Sequence, residues 1–564
     1  MNSGLGTNSG IGARYSGLGT RYSVLGARCS RLGTSVVTVV VQAFRLAVKS
    51  RPKGLHYILL ILLSAATLSA QKATRKDDVN RRNVDGSTPL QWAVYNGDLA
   101  EARRLLKAGA DVSLANNYGA TPMTLASEIA NTDMLKLLLE VGANVDSPNP
   151  EGQTALMAVA RTGNVEAARL LLDKGATVDA KEKWGGQTAL MWASARRHPE
   201  MMQLLISKGA DVNAASIDRN YQRHVTAEGR PKSLDSGGMT PLLYAARENC
   251  IACVDVLLKN KADIDLPDPD GVSPLLLAIM NANWDLAKQL IVAGADVNQW
   301  DMFGEAPLLT AVDQRNRVDG GRASIDPINT TKGVEIVKLL LERGADPNMQ
   351  LFFKPAHVRG GGAGGDVRIG NATFTRGATP LIRATTNADL EVVKLLLEHG
   401  ADATLYMADR QTPIHAAIAG RASEPQTLEL IRMLQKAGTE VNVVALVNHE
   451  EEVRGGSALH FAVRKRYKDV IKLLASMGID MNVVDQDGLT ALDYTQSRGF
   501  MPFMALQTPL YKDEAALLRE LGATKLLDKS PVWPVLGPPQ GIWDDIWPLG
   551  ESRVHEPVYK HNAD

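Results

Sequence analysis

The chain has 564 residues, enough for several average domains if length set the count, although elongated repeat arrays escape that rule. Lys+Arg and Asp+Glu are both 62, but residues 1–70 carry eight basic side chains and no acidic one, which leaves the remainder at a net −8. An acidic body excludes a general nucleic-acid binder, whose affinity comes from neutralising phosphates, and three cysteines exclude a disulfide-built scaffold.

Residues 1–50 stand apart from any fold. From Asn2 to Ser35 a seven-residue unit recurs, as in Tyr15-Ser-Gly-Leu-Gly-Thr-Arg21 and Tyr22-Ser-Val-Leu-Gly-Ala-Arg28. Its glycines cost a helix about 1 kcal/mol each, and its few apolar residues cannot bury a core. The segment is expected to be disordered, or to precede the true translation start. In the latter case a start codon other than Met falls within Val36–Val48, since the next methionine is Met123.

Residues 51–70 follow the order of a secretory signal. Arg51 and Lys53 lead into a charge-free run, Gly54–Gln71, containing Tyr57-Ile-Leu-Leu-Ile-Leu-Leu63, which ends in Ser64-Ala-Ala66 and Ser69-Ala70. Cleavage after Ala70 is expected. The alternative is an uncleaved anchor across residues 54–71, at the short edge of what spans a bilayer. Either way the body is expected to be exported, periplasmic or secreted, and the leader suits a bacterium.

The body repeats with a countable period. The phrase Gly-Ala-Asp-Val-Asn and its variants begin at residues 109, 142, 175, 209, 261, 294, 344, 400, 438, 478 and 522. Several spacings are 33 or 34, and the others carry an excess that marks insertions. Self-similarity at this period signals a solenoid whose units bury their apolar faces by stacking on neighbours.

Within a unit, Thr88-Pro89-Leu90, Thr121-Pro122-Met123, Thr240-Pro241-Leu242, Thr379-Pro380-Leu381 and Thr412-Pro413-Ile414 each offer a Thr N-cap before a Pro in the first helical turn. That helix stops at a glycine such as Gly97 or Gly163. A second helix follows with a leucine run, for example Leu137-Leu138-Leu139 or Leu395-Leu396-Leu397, and the Gly of the repeated phrase supplies its left-handed cap. Asp85-Gly86, Tyr118-Gly119, Asp270-Gly271 and Asp487-Gly488 then read as hairpin-like loops.

Period, Thr-Pro-Leu opening, leucine run and closing phrase together resemble ankyrin repeats, over about residues 85–525 in about eleven units. The resemblance implies an all-α solenoid of helix-turn-helix units with β-hairpin-like fingers, and protein recognition without catalysis. The His that usually follows Thr-Pro-Leu is present at His415 and His460. Gln91, Thr124, Met157, Met191 and Leu243 replace it elsewhere, which implies looser repeats there.

Insertions are expected on the finger side at Ala214–Gly238, Met349–Gly377 and Val443–Gly455, and between paired helices at about Gln314–Thr331 and Ala419–Gln426. They are either functional loops or tolerated length variation. Residues 526–564 form a tail with Trp533, Trp543 and Trp547 among Pro531, Pro534, Pro538, Pro539 and Pro548, suited to capping the last repeat or docking a partner.

Candidate chemistry is sparse. Cys250-Ile-Ala-Cys253 opens a second helix, where the pair reads as packing, a local disulfide or, less favourably, a thiol redox motif. Gly360–Gly365 has dinucleotide spacing without the strand and helix that binding needs. Asn329-Thr-Thr331 and Asn371-Ala-Thr373 match glycosylation sequons by spacing alone. No catalytic residue, cofactor or metal is expected. Trp92, Trp192, Tyr244 and Phe461 occupy the core leucine position of the first helix and read as packing. Tyr118, Trp184, Trp300 and Phe303 lie in fingers and are the candidate partner contacts. The functional expectation is a protein-binding scaffold of the cell envelope with an unidentified protein partner and no nucleic acid. Its alternative is a dedicated regulator or inhibitor of an envelope enzyme.

Overall fold

The computed structural model describes residues 79–218, 237–302, 304–316, 327–351, 377–446, 455–486, 488–495 and 511–524, with backbone alone at 327–331. The leader, the tail, Phe303, the Gly360–Gly365 run and most of the larger finger insertions lie outside these residues. The chain divides at Val79/Asn80, and the solenoid belongs to the second unit.

Among the described residues, eleven pairs of helices follow one another. The first helices of the pairs are α1 (Pro89–Tyr95), α3 (Pro122–Glu128), α5 (Ala155–Thr162), α7 (Ala189–Ala195), α9 (Pro241–Arg247), α11 (Pro274–Met280), α13 (Pro307–Arg315), α15 (Pro380–Thr386), α17 (Pro413–Ala419), α19 (Ala458–Lys465) and α21 (Ala491–Tyr494). The second helices are α2 (Leu99–Lys107), α4 (Thr132–Glu140), α6 (Val165–Asp173), α8 (Pro199–Ser207), α10 (Ile251–Lys259), α12 (Trp284–Ala293), α14 (Pro327–Glu342), α16 (Leu390–Glu398), α18 (Glu424–Lys436), α20 (Lys468–Ser476) and α22 (Lys512–Glu520). First helices pack on first helices and second on second, which makes two layers.

Every first helix except α13, which follows Ala306, starts after a Thr or Ser that can serve as a cap. Thr88, Thr121, Thr154, Thr188, Thr240, Thr379 and Thr490 sit in extended backbone and accept from the N–H three residues on. The missing His is replaced rather than simply lost. Gln91 Oε1 accepts from the Thr88 N–H at 2.7 Å while its Nε2 donates to the carbonyls of Leu114 and Ala120 at 3.0 and 2.6 Å. Thr124 Oγ1 accepts from the Thr121 N–H at 2.8 Å. Repeats carrying Gln91 and Thr124 are therefore stapled to their fingers or caps, not loosened.

The core lies between the layers. Leu90, Leu135, Leu138, Leu156, Leu171 and Leu190 are at most 1% exposed, and burial of each contributes about 2 kcal/mol before entropy is counted. Short first helices suit this geometry because Ala126, Ala160, Ala193, Ala245, Ala278 and Ala384 let neighbours approach closely while staying buried.

Insertions leave the stack intact. The Ala214–Gly238 insertion is closed by an Asp218–Gly237 bridge. That at Met349–Gly377 is closed by Leu351 N–H to Ala378 O (2.9 Å) and Gly377 N–H to Leu351 O (2.7 Å). The third is closed by a short antiparallel pair, β1 (Val444–Ala445) with β2 (Gly456–Ser457), in the register Val444–Ser457. Extra residues between paired helices instead lengthen the second helix: α14 has 16 residues and α18 has 13, against nine in α16.

A side-chain ladder joins the fingers. Asn298 Oδ1 accepts from the Asp346 N–H at 2.8 Å while its Nδ2 donates to Gly344 O at 2.9 Å. Asn348 repeats both contacts with Asp402 N–H (2.7 Å) and Gly400 O (3.1 Å). Asn80, Asn213, Asp265, Asn442 and Asn482 accept the corresponding N–H of Asp111, Asp263, Asp296, Asp480 and Thr524.

Candidate functional site

The finger that carries Tyr118 is a tight Asx turn. Asn116 Oδ1 accepts from the N–H groups of Tyr118 and Ala120, both at 3.0 Å, and Asn117 N–H donates to Asp85 O of the preceding finger, also at 3.0 Å. Tyr118 is thereby held at a tip with 73% of its surface exposed. Gly119 has φ +74°, and a Cβ there would lie 2.3 Å from Pro150 of the next finger, so glycine is what allows the fingers to stack.

Trp184 is placed by a different side chain. The repeat is one residue longer here, and buried Glu182 takes the role of Asn116 from one position farther back. Its carboxylate accepts from the N–H groups of Trp184 (2.5 Å), Gly185 (2.6 Å) and Gln187 (3.0 Å). Trp184 projects with 74% of its surface exposed.

These two aromatics have unanticipated company. Val84, at the first finger, is completely exposed, and Ile217, on the finger after Trp184, is 45% exposed. At the ends of the first helices, Tyr95 is 61% and Ile129 is 46% exposed. Six exposed large apolar side chains thus fall on fingers or first-helix ends within residues 84–217. Sequence reading missed four of them, although Val84 precedes Asp85-Gly86 just as Asn117 precedes Tyr118-Gly119. Trp300 is different: it is only partly exposed. Phe303 lies outside the described residues.

Basic groups lie over two of the first-helix aromatics. Arg161 pairs with Glu128 and its guanidinium lies 6.0 Å from the Trp192 ring; Arg247 lies 5.0 Å from the Tyr244 ring. Tyr244 and Phe461 are 5% and 4% exposed, in keeping with packing, whereas Trp92 and Trp192 are only half-buried. Trp92 meets Tyr95 edge-on, with centroids 6.0 Å apart.

Elsewhere polar groups are buried for structural ends. Asp313 binds the Arg383 guanidinium, and Arg315 pairs with Asp389 at 3.0 Å, across α13, α15 and the start of α16. Burial lowers the Arg383 pKa from its ordinary value, and Asp313 opposes that shift. His415 and His460 each accept a backbone N–H through Nδ1, from Thr412 at 3.2 Å and Ser457 at 3.0 Å. Burial lowers the pKa of His415 to about 4 and that of His460 in the same direction, with nearby Arg464 adding to both. Cys250 and Cys253 are joined by a disulfide.

Comparison with known families decides the kinship. A model described as ankyrin repeats in three copies matches residues 58–149, 130–216, 222–301, 242–351 and 357–445, and a single-repeat model matches 454–486. The chain belongs to the ankyrin-repeat family. Members of this family are protein-binding scaffolds and generally lack catalytic activity. Among similar proteins, the mouse B-cell lymphoma 3 protein homolog is 29% identical over 231 residues, covering 37% of this chain and 46% of the mouse protein. The human transient receptor potential cation channel subfamily A member 1 is 26% identical over 278 residues, covering 46% of this chain and 23% of the channel. The crystal structure of the ankyrin repeat domain of Bcl-3, described as a unique member of the IkappaB protein family, is 27% identical. It covers 45% of this chain and 99% of that one, with a TM-score of 0.35. The ankyrin chain thus spans less than half the length of either relative. Among its described residues no helix is long and apolar enough to cross a membrane; residues 54–71 lie outside them.

Proposed function

We propose that this ankyrin-repeat chain is a non-catalytic scaffold that recognises a protein partner mainly through its first four repeats. The observation that carries this reading is the row Val84, Tyr95, Tyr118, Ile129, Trp184 and Ile217. Large apolar side chains exposed at repeating positions mark an interaction surface, and rigid aromatics on fixed turns lose little entropy when they dock. Export rests on the order of Arg51, Lys53, the apolar run 54–71 and the small residues before Gln71. We place the scaffold outside the cytoplasm, or anchored there by residues 54–71. A dedicated regulator of one envelope enzyme is a narrower form of the same reading, distinguished by recovery of a single partner at fixed stoichiometry.

The test is crosslinking pull-down from the native envelope fraction with the unaltered chain, with Tyr118→Ala/Trp184→Ala, and with Val292→Ala, which alters an exposed side chain on α12. The partner should be retained by the Val292 variant and lost by the double variant. Retention by the double variant would sink this placement of the interface.

A further inference from the structure

We propose that Cys250 and Cys253 form a reversible thiol–disulfide exchange site that takes small monothiols of the glutathione class as substrate, rather than a permanent brace. Cys250 is the N-cap of α10, and its Sγ accepts from the Cys253 N–H at 3.3 Å. In other repeats the same place holds Asp98, Asn131, Asn164 or Asp389, each accepting from the N–H three residues on at 2.9–3.3 Å. Cys250 therefore occupies a position suited to a negatively charged acceptor.

Two consequences follow for the sulfur. A helix N-terminus stabilises a thiolate over a thiol, so reduction replaces a weak sulfur acceptor by a strong anionic one, and the reduced state gains more from the fold than the oxidised state does. The bond closes a loop with a sequence separation of only three, which restricts the unfolded chain little. A second helix of nine residues forms in α2, α4, α6 and α16 without any disulfide, so α10 does not need one to form.

Burial sets the order of the steps. Cys250 is 5% and Cys253 0% exposed, with exposed Ile251 between them, so an incoming thiolate reaches Cys250 first. It attacks Cys250 Sγ, the protein S–S bond breaks, and Cys253 leaves as a thiolate that takes up a proton. A second monothiolate then attacks the external sulfur of the mixed disulfide. Cys250 departs as a thiolate held by the first turn of α10. In sum, one protein disulfide and two monothiols give one protein dithiol and one small disulfide.

The experiment uses the full chain with Cys29→Ser, so that only this pair reacts, equilibrated in glutathione buffers, acid-quenched, alkylated and weighed by mass spectrometry. The pair should pass from about one-tenth to about nine-tenths reduced over a roughly hundredfold change in the ratio of squared reduced to oxidised glutathione, with the helical circular-dichroism signal unchanged. The pH profile for alkylation of reduced Cys250 should have its midpoint at least about one unit below the ordinary thiol value of about 8.5. A pair that stays oxidised in the folded chain even under excess dithiothreitol would overturn the proposal. So would reduction that removes helical signal, or a Cys250 midpoint at or above the ordinary value.

Discussion

The Arg383 guanidinium grips the Asp313 carboxylate from seventy positions away, joining α13 to α15 across the chain's longest spacing between repeats. Both side chains are nearly buried, so the pair holds its place through attraction that must offset desolvation.

Removing one partner should therefore cost far more than removing both. Asp313→Ala is expected to destabilise this part of the stack by about 3–5 kcal/mol, leaving an uncompensated charge, whereas Asp313→Leu with Arg383→Met should recover most of that loss. Because repeat arrays open locally, hydrogen exchange in α13, α15 and α16 is the measurement. Equal protection in the single and double variants would count against the pair.

Acid should loosen the last repeats first. The His415 pKa is lowered to about 4 from an ordinary 6.5, so the neutral ring is the form that folding favours. The stabilisation is fully present above the unfolded value and is lost as pH falls from about 6.5 through about 4, amounting to about 3 kcal/mol. His460 shifts the same way, and protonating its Nδ1 removes the acceptor for the Ser457 N–H. Exchange rates in α17 and α19 should rise over that window while those in α5 and α7 do not; His415→Gln should flatten the response.

Several inter-helix turns carry the wrong residue for their backbone. Ala130, Ala282 and Ala388 have φ of 47°, 53° and 59°, where Gly97 and Gly163 stand in other repeats. Alanine pays a steric cost in this region that glycine avoids, so each Ala→Gly change should stabilise the chain by about 0.5–1 kcal/mol. Urea midpoints of the three single variants check this, with Gly97→Ala expected to move the other way.

The Trp184 finger depends on one carboxylate. Glu182→Ala leaves three backbone N–H groups without their acceptor, at a cost of about 1–3 kcal/mol, and should open the tip to trypsin at Lys183. Limited proteolysis should show cleavage there several-fold faster than in the unaltered chain. An unchanged rate would mean that the loop is held by other contacts.

Much of this was legible from spacing. Thr-Pro openings, glycine stops and leucine runs act through neighbours a few residues away, so a single sequence displays them directly. Pairings such as Arg383 with Asp313 were hidden because an insertion separates the partners and no local rule connects them. Exposure was partly hidden too. Trp184 and Tyr118 emerged as finger residues, but Trp300 occupies the same kind of segment and is partly covered, which depends on the adjoining layers. Val84 and Ile217 escaped because aliphatic residues in a turn carry no signal until the turn is seen to stack.

The Asn348 clasp on residues 400 and 402 spans an insertion as securely as Asp265 holds Asp296 in an ordinary repeat. Loop length is consequently free of the solenoid's pitch. Material can be added, trimmed or exchanged at such junctions without shifting the phase of any helix beyond them, giving the array docking points at which new appendages can be grafted one at a time.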